Sequence, residues 1–102
     1  MHVIPVPKKL GKGFLRSSDS KGAYTYCVLG WVLRHTGYDF NNHDAAAHLS
    51  PLAGLTGSYE DQWREHFYPF ASDSDKADRY SRRISILRRL VDKCPNLIME
   101  DG

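Results

Sequence analysis

The spacing of apolar residues predicts a long amphipathic helix near the C-terminal end of the chain. Between Lys76 and Lys93, five apolar residues recur at intervals of three and four: Ala77, Tyr80, Ile84, Leu87 and Val91. This spacing places side chains on one face of an α-helix, and Leu90 lies beside that face. The polar run 72–75 supplies acidic residues where the helix is expected to begin, and Pro95 is expected to end it.

A second apolar segment predicts a buried helix from Cys27 to His35. Apolar residues occur almost all around this segment, which is typical of a central helix. Gly37 is well placed to end the helix in a left-handed conformation. Gly30, inside the helix, costs about 1 kcal/mol relative to alanine, so it indicates close packing against a neighbouring element.

The remaining segments predict a hairpin and two shorter helices. The stretches Phe14–Arg16 and Ala23–Tyr26 flank a polar turn and are expected to pair as a β-hairpin. A short helix is expected over Asp44–Leu49 and another over Tyr59–Phe67. Tyr59, Trp63 and Phe67 repeat at helical spacing on one face, and we assign this aromatic stripe to the core.

Together these elements predict an α+β fold in a single small domain, with the N-terminal β-hairpin packed on about three helices and a mostly helical core. The length of 102 residues fits one domain. Residues 1–9, which contain Pro5 and Pro7, are expected to form an extended arm. Residues 96–102 are expected to be a frayed tail.

Composition limits the location of the protein. The sequence has no run of eighteen apolar residues, and its first residues lack the cationic start and long apolar stretch of a signal peptide. The two cysteines, Cys27 and Cys94, are too few for a disulfide scaffold, so we expect two reduced thiols. These features predict a cytoplasmic protein without a membrane partner.

Charge is distributed unevenly, although the net charge is only +2. Residues 37–75 contain seven acidic residues and one basic residue, whereas residues 76–93 contain seven basic and two acidic residues. Such asymmetry can steer a partner of opposite charge, or it can serve pairing between the two halves of the chain.

On a helical wheel the basic residues of the last helix gather on the side away from the apolar seam, with an isoleucine among them. An apolar anchor inside a charged rim is typical of protein interfaces. We therefore predict a partner-binding face formed by Arg79, Arg82, Arg83, Ile86 and Arg89. Two alternatives stay open. In the first, the arginines pair with acidic residues of the same chain. In the second, they bind nucleic acid or a nucleotide, helped by a basic loop that contains Lys8, Lys9 and Lys12.

Cys27 is the best candidate for a nucleophile, because it begins a helix whose dipole would lower its pKa. The surrounding string YCVLG loosely resembles papain-like cysteine hydrolases, which also place cysteine at a helix start. A buried, unreactive thiol is the favoured interpretation. Four nearby side chains have the right chemistry for a metal site: Asp39, His43, Asp44 and His48. The two histidines are five residues apart, whereas a zinc pair on a helix is spaced by four, so we predict no metal and no cofactor.

The strings GKGFLR at Gly11–Arg16 and YCVLG at Tyr26–Gly30 resemble a pattern of small bacteriophage and prophage accessory proteins. The resemblance covers about residues 11–37. It implies an accessory protein that acts in the cytoplasm of the bacterial host, and it assigns no functional residues. We therefore predict a non-enzymatic protein-binding module, a phage inhibitor or modulator of a host or anti-phage defence protein. A homodimer formed through the arm or through Ile86 is a further option.

Overall fold

The computed structural model describes residues 1–13, 15–42, 44–56 and 59–102, and of Tyr59 it describes the backbone alone. It confirms an α+β fold in which an N-terminal hairpin packs on a mostly helical core. Phe14, where the hairpin was expected to begin, lies outside the described residues. In chain order the elements are β1 (His2–Ile4), β2 (Arg16–Ser18), β3 (Tyr24–Tyr26), α1 (Val28–Arg34), α2 (Ala45–Leu52), α3 (Tyr59–Gln62), a π turn (Trp63–Phe67), α4 (Tyr68–Lys76), α5 (Tyr80–Lys93) and β4 (Leu97–Met99).

Helix α1 is central, as its apolar composition predicts. It packs against α2, α4, α5 and β3, and its buried side chains are Val28, Leu29, Val32 and Leu33. Gly37 follows the helix with a φ of +84°, which confirms the predicted left-handed stop. Among the described residues, no helix combines the length and the apolar character needed to cross a membrane.

The backbone of the hairpin approaches α1 at Gly30. An alanine Cβ built at this position would lie 1.7 Å from the carbonyl oxygen of Leu15. The N–H of Cys27 donates a hydrogen bond to the same oxygen at 3.1 Å. The close packing predicted from the glycine is therefore confirmed, and it fixes the entry of the hairpin against the first turn of α1.

The two ends of the chain meet in a sheet that the sequence did not predict. Strand β1 pairs in parallel with β4, so part of the expected arm is a strand, and the expectation of a frayed tail is wrong over Leu97–Met99. Leu97, Met99 and Ile4 are buried, which ties both ends to the core. The Glu100 side chain accepts a hydrogen bond from the Val6 N–H at 2.8 Å.

The last helix begins later than the sequence predicts. Residues 72–75 form the end of α4, and α5 begins at Tyr80 rather than Lys76. Between the two helices, Ala77 and Arg79 have extended backbone. At the break Ala77 is buried, and its N–H still bonds to α4. Its carbonyl accepts a hydrogen bond from Nε of Arg83 at 3.0 Å instead of one from a backbone N–H of a continuing helix.

Helix α2 lies close to the prediction. It begins after Asp44, whose carboxylate accepts a hydrogen bond from the Ala47 N–H at 3.2 Å and so caps the helix. It continues to Leu52, three residues beyond the expected end, with Pro51 in its last turn. The capped start of α2 fixes one wall of the cavity described below.

Candidate functional site

The predicted partner-binding face lacks its apolar anchor. Ile86 is 7% exposed and belongs to the hydrophobic core, so the prediction that it projects into solvent is wrong. On the helix it lies only about 40° from the fully buried Leu90. Helix α4 packs on this side of α5, and Asp73 and Lys76 of α4 line the groove above Ile86.

Arg83 serves the fold instead of a surface. Its Nη1 donates a hydrogen bond to the carbonyl of Leu10 at 2.7 Å, and its Nε donates to the carbonyl of Ala77 at 3.0 Å. Charged donors on backbone carbonyls hold the N-terminal segment and the α4–α5 junction on α5. Two of the nitrogens of the Arg83 guanidinium, Nε and Nη1, are therefore used within the fold.

The other arginines of the predicted face remain exposed. Nη1 of Arg82 lies 3.7 Å from a carboxylate oxygen of Asp78, and Nη2 of Arg89 lies 3.5 Å from one of Asp73. Exposed pairs of this kind contribute little to stability. Within the described residues, no hydrogen bond or ion pair involves the side chain of Arg79, whose carbonyl accepts a hydrogen bond from the Arg83 N–H at 3.2 Å. The alternative that the arginines pair with acids of the same chain thus holds for two of them.

The predicted basic loop lies elsewhere on the molecule. Lys8, Lys9 and Lys12 are exposed. The first two line a shallow cavity beside Tyr26 and Trp31, which is distinct from the groove at Ile86. The three lysines and the α5 arginines consequently do not line a common cavity.

The predicted activation of Cys27 is wrong. Cys27 precedes α1 as expected, but its side chain is 1% exposed, and burial raises the pKa of the thiol instead of lowering it. Burial also raises the pKa of the Cys94 thiol, to about 11. Both cysteines are free and buried. A thiol with a raised pKa is a poor nucleophile at neutral pH.

We expect both thiols to react slowly with iodoacetamide in the native protein at pH 7.5, and rapidly in denaturant. Burial restricts access and disfavours the thiolate, so native alkylation should be slower by at least about tenfold than in the unfolded chain. Intact-mass spectrometry over time measures this ratio. Fast native alkylation of Cys27 alone would contradict its burial and restore it as a candidate nucleophile.

The residues considered for a metal site have structural contacts. The ring of His48 shares a hydrogen bond of 2.8 Å with the hydroxyl of Thr36, and Asp44 caps α2. His43 lies outside the described residues. Within the ranges that the structure describes, no group of three or more histidine, cysteine, aspartate or glutamate side chains is arranged to hold a metal ion.

A cavity of about 470 Å³ opens at the start of the hairpin, beside α2, and we call it the aromatic pocket. Its volume falls within the range of small-ligand and side-chain pockets. Polar side chains at its margin come from Arg16, Asn42, Asp44 and Glu60. Its apolar walls are formed by Leu15, Tyr38, Phe40, Ala45, Ala46 and Trp63.

Two unusual backbone conformations occur in the wall of the aromatic pocket. Leu15 has a φ of +63°, and among the described residues it is the one non-glycine residue with a positive φ. Trp63 begins the π turn Trp63–Phe67. Both conformations are costly and cluster at functional sites. Their meeting at one cavity makes the aromatic pocket the strongest candidate site.

The rings of the aromatic pocket are held in place by their neighbours. Tyr38 and Phe40 meet edge to face, with ring centroids 5.2 Å apart, and Phe40 lies 5.8 Å from the ring of Tyr26. The hydroxyl of Tyr38 donates a hydrogen bond to the carbonyl of Asn42. Burial, followed by the nearby Asp44 and Asp39 carboxylates, raises the pKa of Tyr38, which favours this donating form. The pocket is therefore formed before any ligand enters.

One of the charged side chains that line the aromatic pocket has neither an ion pair nor a hydrogen bond within the described residues. Glu60 pairs with Arg64 at 3.0 Å, and Asp44 caps α2. The guanidinium carbon of Arg16 lies over two rings, 4.2 Å from the centroid of Tyr24 and 4.5 Å from that of Phe40. No hydrogen bond or ion pair joins this guanidinium to the described residues.

Sequence reasoning missed this site. It placed Leu15 and Arg16 in the hairpin, assigned Trp63 to the core, and treated the segment around Tyr38 and Phe40 as irregular. The structure brings these separate segments together. The available signal was the pair Tyr38 and Phe40. They lie in a segment without helical or strand periodicity, so packing of a regular element in the core does not account for two large aromatic side chains there.

No protein-family model matches the chain, and no curated protein or solved structure gives a significant match. The function proposed below depends on the residues and geometry of the aromatic pocket.

Proposed function

We propose that this protein is a non-enzymatic protein-binding module whose aromatic pocket receives an apolar side chain of its partner. The observation that carries the proposal is a preformed cavity of about 470 Å³ walled by Tyr38, Phe40 and Trp63. Interfaces derive most of their affinity from a few large side chains that fill such pockets. The α5 face is not part of this proposal, because Ile86 is buried.

A nucleotide is the alternative occupant. The rings of Tyr38 and Phe40 could stack on a base, and Arg16 could meet a phosphate. However, six of the ten residues that line the pocket are apolar or aromatic: Leu15, Tyr38, Phe40, Ala45, Ala46 and Trp63. Such a lining suits an apolar protein side chain better than a nucleotide, which carries a sugar and a charged phosphate, so a protein partner is favoured.

The biological role and the compartment are parts of the same proposal. Inhibition or modulation of a host or anti-phage defence protein stays a prediction from the resemblance of residues 11–37 to phage accessory proteins. Action in the bacterial cytoplasm is supported by the two free thiols, Cys27 and Cys94, since reduced cysteines are usual in a reducing compartment.

The proposal predicts binding of a neutral tryptophan side chain. N-acetyltryptophanamide, added to isotope-labelled protein, should shift the amide NMR signals of the pocket residues with a Kd of about 1–10 mM. Phe40→Ala removes a wall of the pocket and should weaken this binding about threefold to tenfold. Tyr68→Ala, which removes an exposed aromatic ring outside the pocket, is the matched control and should leave it unchanged.

Three results would contradict the proposal. The first is an absence of shifts in the pocket residues, and the second is equal binding by the wild type and Phe40→Ala. The third is a clear preference for adenosine monophosphate over N-acetyltryptophanamide, which would favour the nucleotide as occupant.

A further inference from the structure

The surroundings of the Arg16 guanidinium indicate which kind of partner residue would bind beside the pocket. Its central carbon lies over the rings of Tyr24 and Phe40, 4.2 and 4.5 Å from their centroids. Contact with the face of a ring uses none of the five N–H donors of a guanidinium. Since no acceptor for them occurs in the described chain, Arg16 has donors ready for an incoming group.

The arrangement favours a carboxylate as that group. A guanidinium offers two parallel N–H donors that match the two oxygens of a carboxylate, and such charged pairs are stronger than neutral hydrogen bonds. The rings already restrict the side chain of Arg16, so little conformational freedom is lost when it binds. The acids at the pocket, Asp44 and Glu60, are engaged with α2 and with Arg64. Arg16 is therefore the charged side chain of the pocket lining that has neither a hydrogen bond nor an ion pair within the described residues.

The position of Arg16 indicates that two different residues of the partner bind here. One supplies the carboxylate, and the other fills the pocket. Both Arg16 and Phe40 line the aromatic pocket, whereas Tyr24, the other ring that Arg16 contacts, is 48% exposed and does not. Arg16 therefore lies at the rim of the pocket. We expect a carboxylate bound there to belong to a residue next to the one whose side chain is inserted.

We propose that the partner presents an acidic side chain next to the apolar residue that fills the aromatic pocket, and that Arg16 binds this carboxylate. The occupant is then an internal acidic–apolar segment of a protein. This inference rests on the proposed function, because it requires the pocket to take a protein side chain.

Matched dipeptides test the inference. N-acetylated, C-amidated Asp-Trp and Asn-Trp differ only in the charge beside the indole, and the reverse orders, Trp-Asp and Trp-Asn, cover the other chain direction. In at least one order, the aspartate peptide should bind about fivefold to tenfold more tightly than its asparagine counterpart in an NMR titration. Arg16→Gln should remove this preference and leave the affinity for the asparagine peptide nearly unchanged.

Two further variants separate the guanidinium from general charge. Arg16→Lys keeps the positive charge without the planar fork and should retain only part of the preference. Arg34→Gln is the matched control, because the guanidinium of Arg34 also lies over a ring, 5.6 Å from the centroid of Tyr26, but does not line the pocket. It should keep the full preference. Amide spectra of each variant confirm that the fold is intact.

The outcomes distinguish this inference from the proposed function. Equal binding of the aspartate and asparagine peptides, or a preference that survives Arg16→Gln, would overturn the role of Arg16 and leave the pocket proposal standing. An absence of binding by every peptide would overturn both. Tighter binding of N-acetyltryptophan than of the better aspartate peptide would identify a free C-terminus and overturn the internal segment.

Discussion

Gly30→Ala is expected to prevent folding, or to lower the free energy of unfolding by at least about 4 kcal/mol. The new Cβ would lie 1.7 Å from the carbonyl oxygen and 2.6 Å from the carbonyl carbon of Leu15. These are backbone atoms, so no side-chain rotation relieves the clash. The oxygen is also held by the N–H of Cys27 at 3.1 Å, so any shift costs that hydrogen bond. Urea unfolding followed by circular dichroism measures the loss.

Gly37→Ala is the matched control for this substitution. Gly37 has a φ of +84°, but a Cβ there meets no atom within 4 Å, so alanine adds only backbone strain. A loss of about 1–2 kcal/mol is expected. If Gly30→Ala cost no more than Gly37→Ala, the close approach of Leu15 to α1 would be refuted. A residual folded fraction of Gly30→Ala should also bind N-acetyltryptophanamide more weakly, since Leu15 and Arg16 would move.

Elements with enough apolar residues to show a period were predictable from the sequence. Helix α1 spans 28–34, between the expected Cys27 and His35, because its apolar residues surround the whole segment. Close packing at Gly30 and a left-handed stop at Gly37 were predicted correctly. Glycine is unfavourable inside a helix and favoured just after its end, so it occurs at these positions for a limited set of structural causes. The first strand of the hairpin lies two residues later than predicted, whereas the second matches the prediction except for Ala23 at its start. Strands of three residues show almost no alternation, which leaves their bounds uncertain from sequence.

Elements that depend on distant partners were not predictable. The segment Leu97–Met99 is too short to show a period, and it becomes a strand because β1 lies beside it from the other end of the chain. Helix α5 begins at Tyr80 and not at Lys76, and the carbonyl of Ala77 at the junction is bound by the side chain of Arg83, six residues further along the chain. The π turn at Trp63 has no known sequence signature, because it differs from an α-helix only in its hydrogen-bond partners.

The candidate site was the least predictable part of the molecule. Its walls come from the hairpin, the segment after α1, the start of α2 and the π turn, which no local pattern relates to each other. Arg16 became important only through its position between Tyr24 and Phe40, which are 16 residues apart in the chain. In the sequence, the number of arginines in α5 favoured that helix as the binding face. In the structure, one arginine at the pocket without a hydrogen bond or ion pair within the described residues leads to the more specific prediction.

Ile86→Ala is expected to lower the free energy of unfolding by about 2–4 kcal/mol. The side chain is 7% exposed and packs in the core beneath the groove between α4 and α5, so its truncation removes apolar contacts and leaves a cavity. A solvent-exposed isoleucine at this helical position would behave differently, because alanine has the higher helix propensity and the substitution would be neutral or slightly stabilising. The sign of the effect therefore separates the two placements of Ile86. Urea unfolding of wild type and variant measures it.

Ser85→Ala provides the control for helix propensity, since Ser85 is the exposed neighbour on the same helix. It should change the free energy of unfolding by no more than about 0.5 kcal/mol. Ile86→Ala should bind N-acetyltryptophanamide as the wild type does, under conditions where both are folded, because Ile86 does not line the aromatic pocket. If Ile86→Ala were as stable as the wild type, the isoleucine would belong to the surface. The basic face of α5 would then regain the apolar anchor that a protein interface requires.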